Sequence, residues 1–264
     1  MQWFIGINEG CPAFKQYADM AKVALHTARR HTSLQPHVLY DGGENVFTRW
    51  LRDREIPIIP RRTFLLEELE ELSARKSDPA LTRVARGVFL RVELPALHSE
   101  IGLEDRVLYT DCDVFFRSDV IADLEGFACD YFAVAGEFTP HDFENMNTGV
   151  MFMNLARLQE RDHEFRDFIS ADLEAFERIA WDQGAYRSFF RSSANVPLWN
   201  TLAPEFNWKP YWGNYSSAKI VHFHGPKPFQ REHIDSHYPE LKYLTGGCYE
   251  ELCDLWSELL REAE

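Results

Sequence analysis

The chain has 264 residues, of which 45% are hydrophobic and 14% aromatic. This is enough to bury the core of one large α/β domain or two small ones, and it excludes a disordered chain. With 28 Lys and Arg against 42 Asp and Glu, the net charge is −14, which argues against binding to nucleic acid or to an anionic membrane surface. A site for an anionic substrate therefore needs its own cations or a metal ion.

The N-terminus and the cysteines bear on the compartment. The first residues, MQWFIGINEGC, have no basic segment and no long apolar run, so we expect no secretory signal and no clear membrane anchor. The five cysteines are scattered, odd in number and form no CxxC pair. This pattern predicts free thiols and a cytoplasmic protein.

Strand and helix patterns alternate over the first sixty residues. Short apolar runs at 3–7, 37–40 and 55–60 predict strands, and 12–30 has helical spacing with Pro12 near its first turn. This order is typical of a βαβ unit, so we predict an α/β fold with a Rossmann-like, mainly parallel central sheet flanked by helices.

The remaining elements follow the same logic. We predict helices at 64–76, 85–98 and 155–178, with Pro95 ending or kinking the second, and strands at 106–109, 131–135, 149–153 and 218–223. A C-terminal helix at about 248–262 has an apolar stripe at i, i+3, i+4, i+7 and i+8. Its polar face is acidic, which favours docking onto the protein over lying on a membrane.

The segment VLYTDCDVFF (107–116) is the strongest local signal for chemistry. A buried strand that ends in Asp111 and Asp113 places two carboxylates at the sheet edge where ligands of open α/β folds bind. Residues i and i+2 share a face about 6.8 Å apart, and a turn after the strand brings them onto one cation. Hard oxygen ligands suit Mg²⁺ or Mn²⁺. The alternative is a pair of solvated aspartates that cap a turn.

A second polar strand end comes about a hundred residues later, in IVHFHGPKP (220–228). His222 and His224 share a face, and one of them would complete a metal site. Lys227 offers a charge for phosphate, and Gly225 permits close approach of a ligand. The alternative is an ordinary strand-end histidine beside a surface loop.

Two further segments carry groups that can bind sugar hydroxyls. Asn147 and Thr148 open one strand, and Asp182 and Gln183 open a helix after Trp181. Taken alone, Asp182 is equally well explained as a helix N-cap and Asn147 as a turn residue.

In this order, the motifs resemble the bacterial branch of glycosyltransferase family 8. These are retaining enzymes with the GT-A fold, related to lipooligosaccharide galactosyltransferases and glycogenin. The resemblance runs over roughly residues 4–229. Its motifs are the arginine-bearing helix and DXD strand VFLRVELPALHSEIGLEDRVLYTDCD (88–113), NTGVMFMNL (147–155), the Asp-Gln pair at 182–183, PEFNW (204–208) and HFHGPKPF (222–229).

The resemblance implies a single GT-A domain over 1–264, with a nucleotide-binding part at about 1–115 and a sugar- and acceptor-binding part at about 116–230. It implies that Asp111, Asp113 and His222 hold Mn²⁺ or Mg²⁺. The other residues it assigns are Asn8 for the nucleoside, Arg91 for the donor, Gly225 and Lys227 for the diphosphate, and Asn147, Thr148, Asp182 and Gln183 for the sugar, with Asp182 and Gln183 as the catalytic candidates.

The implied reaction moves a hexose from a nucleotide-sugar, UDP-linked, to a hydroxyl of a glycan acceptor. The anomeric configuration is retained, without a carboxylate nucleophile, and the Gln183 carbonyl stabilises charge at the anomeric carbon. The chain departs from the family where GINEGC replaces A-x-D-x-N-Y, where one residue is missing between Gly225 and Lys227, and where Phe229 replaces tryptophan. The basic, aromatic tail that some bacterial members use on membranes is absent.

Two other functions fit parts of the sequence. DCDVF nearly satisfies the motif of haloacid-dehalogenase-type phosphohydrolases, although the later acidic pair of that class is missing. A non-catalytic nucleotide-sugar or glycan-binding protein would keep the same fold. The sequence does not distinguish the donor sugar, the acceptor or the oligomeric state.

Overall fold

The computed structural model describes residues Met1–Glu264 and is organised around one seven-stranded sheet. The strands of the chain are β1 (Gln2–Asn8), β2 (Gln35–Asp41), β3 (Ile58–Pro60), β4 (Arg106–Thr110), β5 (Val114–Phe116), β6 (Phe132–Gly136), β7 (Met146–Asn154), β8 (Asn200–Thr201) and β9 (Ile220–His222). The sheet order is β3-β2-β1-β4-β7-β6-β8, and β5 pairs with β9 in a separate two-stranded ribbon.

The sheet is mainly parallel, as the sequence predicts. β3, β2, β1 and β4 run parallel, β7 is antiparallel to both β4 and β6, and β8 is parallel to β6. Consequently the carboxyl ends of β1, β2 and β4 meet the start of β7 at one edge. That edge carries the polar residues singled out above.

Twelve α-helices surround the sheet. They are α1 (Phe14–His31), α2 (Val46–Asp53), α3 (Leu66–Lys76), α4 (Pro79–Val88), α5 (Leu94–Ile101), α6 (Ile121–Glu125), α7 (Leu155–Gln159), α8 (Asp162–Ala171), α9 (Leu173–Glu177), α10 (Asp182–Phe189), α11 (Ile234–His237) and α12 (Tyr249–Ala263). None of them combines the length and the apolar character that crossing a bilayer requires.

The sheet is buried on both faces because its strands alternate between two hydrophobic clusters. Trp3, Ile5 and Ile7 point into a cluster with α1, α2 and α6, whereas Phe4 points into the opposite cluster with α3–α5 and α7–α10. A third cluster packs α12 and the β5–β9 ribbon against α1. The C-terminal stripe therefore docks on the protein itself, with Leu252, Trp256 and Leu259 buried.

Two predicted helices are broken in the structure. The segment 155–178 forms α7, α8 and α9, separated at Glu160–Arg161 and by Asp172, whose φ of −143° and ψ of 42° are not helical. The segment 85–98 is divided between α4 and α5 by a 3₁₀ turn, Phe89–Glu93, and Pro95 lies in the first turn of α5. A proline is tolerated at that position, so it begins a helix where we expected it to end or kink one.

Candidate active site

The β5–β9 ribbon brings together the two parts of the site that lie far apart in the sequence. Val114 is the register partner of His222, and the Phe223 amide donates to the Asp113 carbonyl at 3.0 Å. The DXD turn and the strand-end histidine are thus direct neighbours. The Asp111 amide also donates to the Gly149 carbonyl of β7, at 2.8 Å, which ties the turn to the main sheet.

Asp111, Asp113 and His222 form the cluster that the sequence predicts. Their ligand atoms lie within 4.8 Å of one another. His222 Nε2 is 3.3 Å from Asp113 Oδ1 and 3.8 Å from Asp111 Oδ2. Asp113 Oδ1 is buried and has no hydrogen-bond partner. An unpaired, buried carboxylate oxygen is costly, and a cation between these three groups would satisfy it. The donor set of two carboxylates and one imidazole suits Mn²⁺ or Mg²⁺.

Gly149 makes the position of His222 possible. A Cβ on this glycine would lie 2.1 Å from His222 Cε1 and 2.6 Å from Nδ1. The imidazole therefore packs directly on the backbone of β7. No local pattern reveals this role of Gly149, because the neighbour that requires a glycine is more than seventy residues away.

Lys227 pairs with Asp113. Its Nζ lies 2.5 Å from Asp113 Oδ2 and donates to the Phe223 carbonyl at 2.6 Å. Burial alone would raise the pKa of Asp113, but the Lys227 ammonium beside it holds this pKa well below its usual range. Gly225, at φ +85°, reverses the chain between His222 and Lys227, and a Cβ there would meet Leu244 at 2.6 Å. This loop is one residue shorter than in the family, and Lys227 nevertheless lies at the DXD turn.

Arg91 joins two carboxylates from different elements. Its Nη2 donates to Asp111 Oδ1 at 2.6 Å, and its Nε is 2.7 Å from Asp182 Oδ2, without the alignment of a hydrogen bond. Nη1 donates to the Thr148 carbonyl, and the guanidinium lies over the Tyr109 ring. Burial raises the pKa of Asp182 to about 7, although Arg91 opposes this shift. The anions beside Arg91 are thus carboxylates of the protein itself, Asp111 and Asp182. Contact between Arg91 and the donor stays a prediction.

The pair Asn147 and Gln183 belongs to a buried amide network. Gln183 Oε1 accepts from Asn147 Nδ2 and from the Thr148 amide, both at 3.0 Å, and Gln183 Nε2 donates to Glu137 at 2.6 Å. Both the carbonyl oxygen and the NH₂ group of Gln183 are therefore engaged in hydrogen bonds inside the protein. The prediction that its carbonyl faces the anomeric carbon is not tested by this arrangement and would require the amide to turn.

The nucleoside candidate lies on the neighbouring strands. Asn8 ends β1 beside Asp41 of β2, and its Oδ1 is buried without a hydrogen-bond partner. Arg86 holds Asp41 through two hydrogen bonds of 2.6 and 2.7 Å. Gly87 leaves room for Asn8, since a Cβ there would be 2.6 Å from Asn8 Nδ2. An open acceptor at this edge of a Rossmann-like sheet suits a nucleoside N–H or hydroxyl.

Aromatic side chains border the site on the side of His224. Phe138 is 47% exposed, and its ring centroid lies 5.6 Å from that of His224. Trp212 Nε1 donates to the Phe138 carbonyl at 2.8 Å. His222 is the last residue of β9, and its ring centroid lies 5.9 Å from that of His224, which follows the strand. Trp199, by contrast, belongs to the core, where it is buried and stacks on Phe132.

Sequence reasoning missed four residues that the structure brings to the site: Glu137, Asn207, Asp41 and Arg86. Asp41 had a usable signal, because an acidic residue at the end of the second strand of such a unit commonly faces a ribose. Asn207 lies in the quoted PEFNW segment but received no role. Glu137 and Arg86 lie in a loop and on a helix without a motif of their own.

The fold is similar to those of several solved glycosyltransferase structures. The galactosyltransferase LgtC, in complex with donor and acceptor sugar analogues, superposes with a TM-score of 0.67 at 17% identity over 99% of this chain and 96% of that chain. The glycosyltransferase GlyE of Streptococcus pneumoniae TIGR4 gives 0.57 at 16% identity, over 99% of this chain and 63% of that chain. Mouse xyloside xylosyltransferase 1 gives 0.55 at 12% identity, over 84% and 96%.

This chain has a GT-A fold. The fold and the resemblance predicted from the sequence are confirmed at this level by the structural likeness, which spans the chain. No model of a protein family and no curated protein sequence matches the chain. The likeness is therefore one of architecture.

Proposed function

We propose that this chain is a divalent-metal-dependent glycosyltransferase that transfers a hexose from a UDP-linked donor to a hydroxyl of a glycan acceptor, with retention of configuration. The observation that carries the proposal is the cluster of Asp111, Asp113 and His222 at the carboxyl edge of a GT-A fold. The likeness to glycosyltransferase structures along the whole chain favours this class over a phosphohydrolase.

The donor would lie along the edge from β1 to β9. Asn8 Oδ1 offers an acceptor for the nucleoside, and the buried Arg91 and the half-buried Lys227 lie beside the two DXD carboxylates. These cations meet the requirement that an acidic chain must supply local positive charge for an anionic substrate. A single long ligand with a diphosphate at its centre would contact all of these groups.

Asp111, Asp113 and His222 would hold the cation, which supplies neutralisation of the diphosphate charge when the sugar leaves. Lys227 is placed to add a point charge to the same leaving group. Arg91 fixes Asp111 relative to Asp182, so the carboxylate facing the cation and the carboxylate facing the sugar pocket keep their separation. These residues stabilise the departing nucleotide by electrostatics fixed in advance.

Retention without an enzyme nucleophile is supported by how the nearby carboxyls are occupied. Asp182 is buried against Arg91, and Glu137 is held by Gln183 and Arg187 at 2.6 and 3.0 Å. A carboxylate nucleophile would have to leave these partners to reach the sugar. Attack by the acceptor on the face from which the nucleotide departs needs no such step.

The decisive experiment is a thermal-shift panel of nucleotides, nucleotide-sugars and a generic phosphate ester, with Mn²⁺ and with EDTA. A UDP-sugar with Mn²⁺ should stabilise the protein, by about 2.7 kcal/mol at a hundredfold excess over its dissociation constant. Asp111→Asn should abolish the Mn²⁺-dependent shift, and Asp53→Asn, an exposed aspartate at the end of α2, should keep it.

NMR of the anomeric proton of the product decides the stereochemistry. Inversion would contradict the retaining mechanism. Full transfer in EDTA would contradict the metal site, and tight binding of the donor without transfer or donor hydrolysis would identify a binding protein.

A further inference from the structure

A continuous chain of buried hydrogen bonds connects Glu137 to His222. Glu137 accepts from Gln183, Gln183 accepts from Asn147, Asn147 Oδ1 accepts from Asn207 Nδ2 at 2.9 Å, and Asn207 Oδ1 meets His222 Nδ1 at 2.9 Å. All five residues are less than 10% exposed, and Asn207 is fully buried. Water therefore does not offer alternative partners along this chain.

The direction of the chain is fixed by groups whose roles are not interchangeable. A backbone N–H can only donate, and the Thr148 amide points at Gln183 Oε1 while the Gly149 amide points at Asn147 Oδ1, at 3.2 Å. These contacts identify the oxygen of each amide. At the far end, the Glu137 carboxylate accepts from Gln183, which agrees with the same direction.

This direction continues through Asn207 to the histidine. Because Asn147 presents its oxygen, Asn207 must present its NH₂ group to Asn147 and its carbonyl to His222. His222 Nδ1 must then carry a proton and donate. The lone pair of the neutral ring is consequently left on Nε2, the nitrogen that faces Asp113 and Asp111.

We propose that Asn207 is a positioning residue that holds His222 in the Nδ1–H tautomer, so that Nε2 is the metal-binding nitrogen. This inference rests on the metal site of the proposed function. Partners of this kind typically change metal affinity 10- to 100-fold when they are removed. The amide that orients the imidazole is itself oriented by Asn147, so the sugar-pocket candidates and the metal candidates form one unit.

The test combines NMR with calorimetry. Long-range ¹H–¹⁵N correlation spectra of the protein without added metal, with His222 assigned through His222→Gln, report which ring nitrogen carries the proton. Isothermal titration gives the Mn²⁺ affinity. The variants are Asn207→Leu, which removes the acceptor at similar volume, and Asn207→Asp, which keeps an acceptor at Nδ1. Asn200→Leu in β8, whose side chain contacts Asp130, is the control.

We expect the Nδ1–H form in the parent protein, and in Asn207→Leu a substantial Nε2–H population with Mn²⁺ affinity lowered roughly 10- to 100-fold. Asn207→Asp should restore the Nδ1–H form and bind Mn²⁺ more tightly than Asn207→Leu does. An Nε2–H ring in the parent, or an unchanged Mn²⁺ affinity in a folded Asn207→Leu, would overturn the inference and leave the metal site standing. Absence of Mn²⁺ binding in the parent would overturn the metal site on which both proposals rest.

Discussion

At the scale of single residues, the position of the His222 ring depends on the absence of a side chain at Gly149. Gly149 lies in the middle of β7, where a glycine weakens a strand, and the His222 ring occupies the space of its missing side chain. The proposed metal site would account for a glycine at this position, because the glycine lets His222 lie beside Asp111 and Asp113.

Gly149→Ala is therefore expected to displace His222 and to lower the Mn²⁺ affinity at least tenfold. A Cβ 2.1 Å from His222 Cε1 cannot coexist with the present ring position. Titration calorimetry measures the effect, and circular dichroism checks that the fold remains. Gly126→Ala is the matched control, because nothing lies within 4 Å of a Cβ at that glycine; equal affinities in the two variants would refute the argument.

The raised pKa of Asp182 predicts that the stability of the protein depends on pH. Burial raises its pKa from 3.8 to about 7, so between these values the folded state keeps a proton that the unfolded state has lost. The free energy of unfolding should then fall as pH rises from about 4 to about 7, by up to about 4 kcal/mol from this group. Asp182→Asn should reduce this decline.

Urea unfolding of the parent and Asp182→Asn at pH 5 and pH 8, without added metal, measures the difference. Asp53→Asn, at the exposed aspartate that ends α2, should leave the decline unchanged. A decline of the same size in the parent and in Asp182→Asn would show that Asp182 ionises at an ordinary pKa in the folded protein.

At the scale of elements, the entry to α10 is strained. Ala180 and Trp181 have φ of 68° and 52°, a region that favours glycine, and they directly precede Asp182 and Gln183. A Cβ on Gly184 would lie 2.4 Å from the Ile179 carbonyl, so the turn is also tight. Strain of this kind is maintained where it positions functional side chains.

Ala180→Gly should relieve part of this strain and raise the free energy of unfolding by about 1 kcal/mol, because a left-handed residue with a Cβ costs roughly that much. Ala74→Gly, at an exposed position of α3, should lower it by about 1 kcal/mol, because glycine is a poor helix former. Chemical denaturation of both variants gives the two signs. Destabilisation by both would show that the Ala180 backbone is unstrained.

The elements also show which parts of the structure can be predicted from sequence. The strands β1, β2, β4 and β7 were predicted because buried strands have continuous apolar runs and polar ends. Helix α2 was missed, although Asn45 and Thr48 form a capping box at its start. The breaks between α7, α8 and α9 depend on packing, and a periodic, charged sequence does not reveal them.

The candidate site divides in the same way. Asp111, Asp113 and His222 could be predicted because each carries chemistry at a strand end. Glu137 and Asn207 could not, since their importance arises from long-range hydrogen bonds that no local pattern encodes. Local spacing finds the groups that touch a ligand more readily than the groups that orient them.

At the scale of the whole molecule, the site depends on a ribbon made from distant parts of the chain. β5 comes from the middle of the chain and β9 from its last quarter, and Phe115 and Val221 of these strands share a hydrophobic cluster with α12. Asp113 and His222 extend from adjacent positions of this ribbon. A cation bound by both would cross-link the two strands without any covalent bond.

Mn²⁺ should therefore protect this ribbon more than it protects the rest of the protein. Amides that exchange only through global unfolding should slow by the common factor that follows from binding to the folded state, about a hundredfold at a hundredfold excess over the dissociation constant. Amides of β5 and β9 that exchange through local opening should slow as well, because opening the ribbon separates the ligands. Amides of α3, on the other side of the sheet, that exchange through local opening should keep their exchange rates.

Hydrogen exchange followed by mass spectrometry, with Mn²⁺ and with EDTA, measures this difference in the parent protein and in Asp111→Asn, where both effects should vanish. Equal local protection of α3 and of the ribbon would show that the cation binds elsewhere, because only a ligand held by both strands resists their separation.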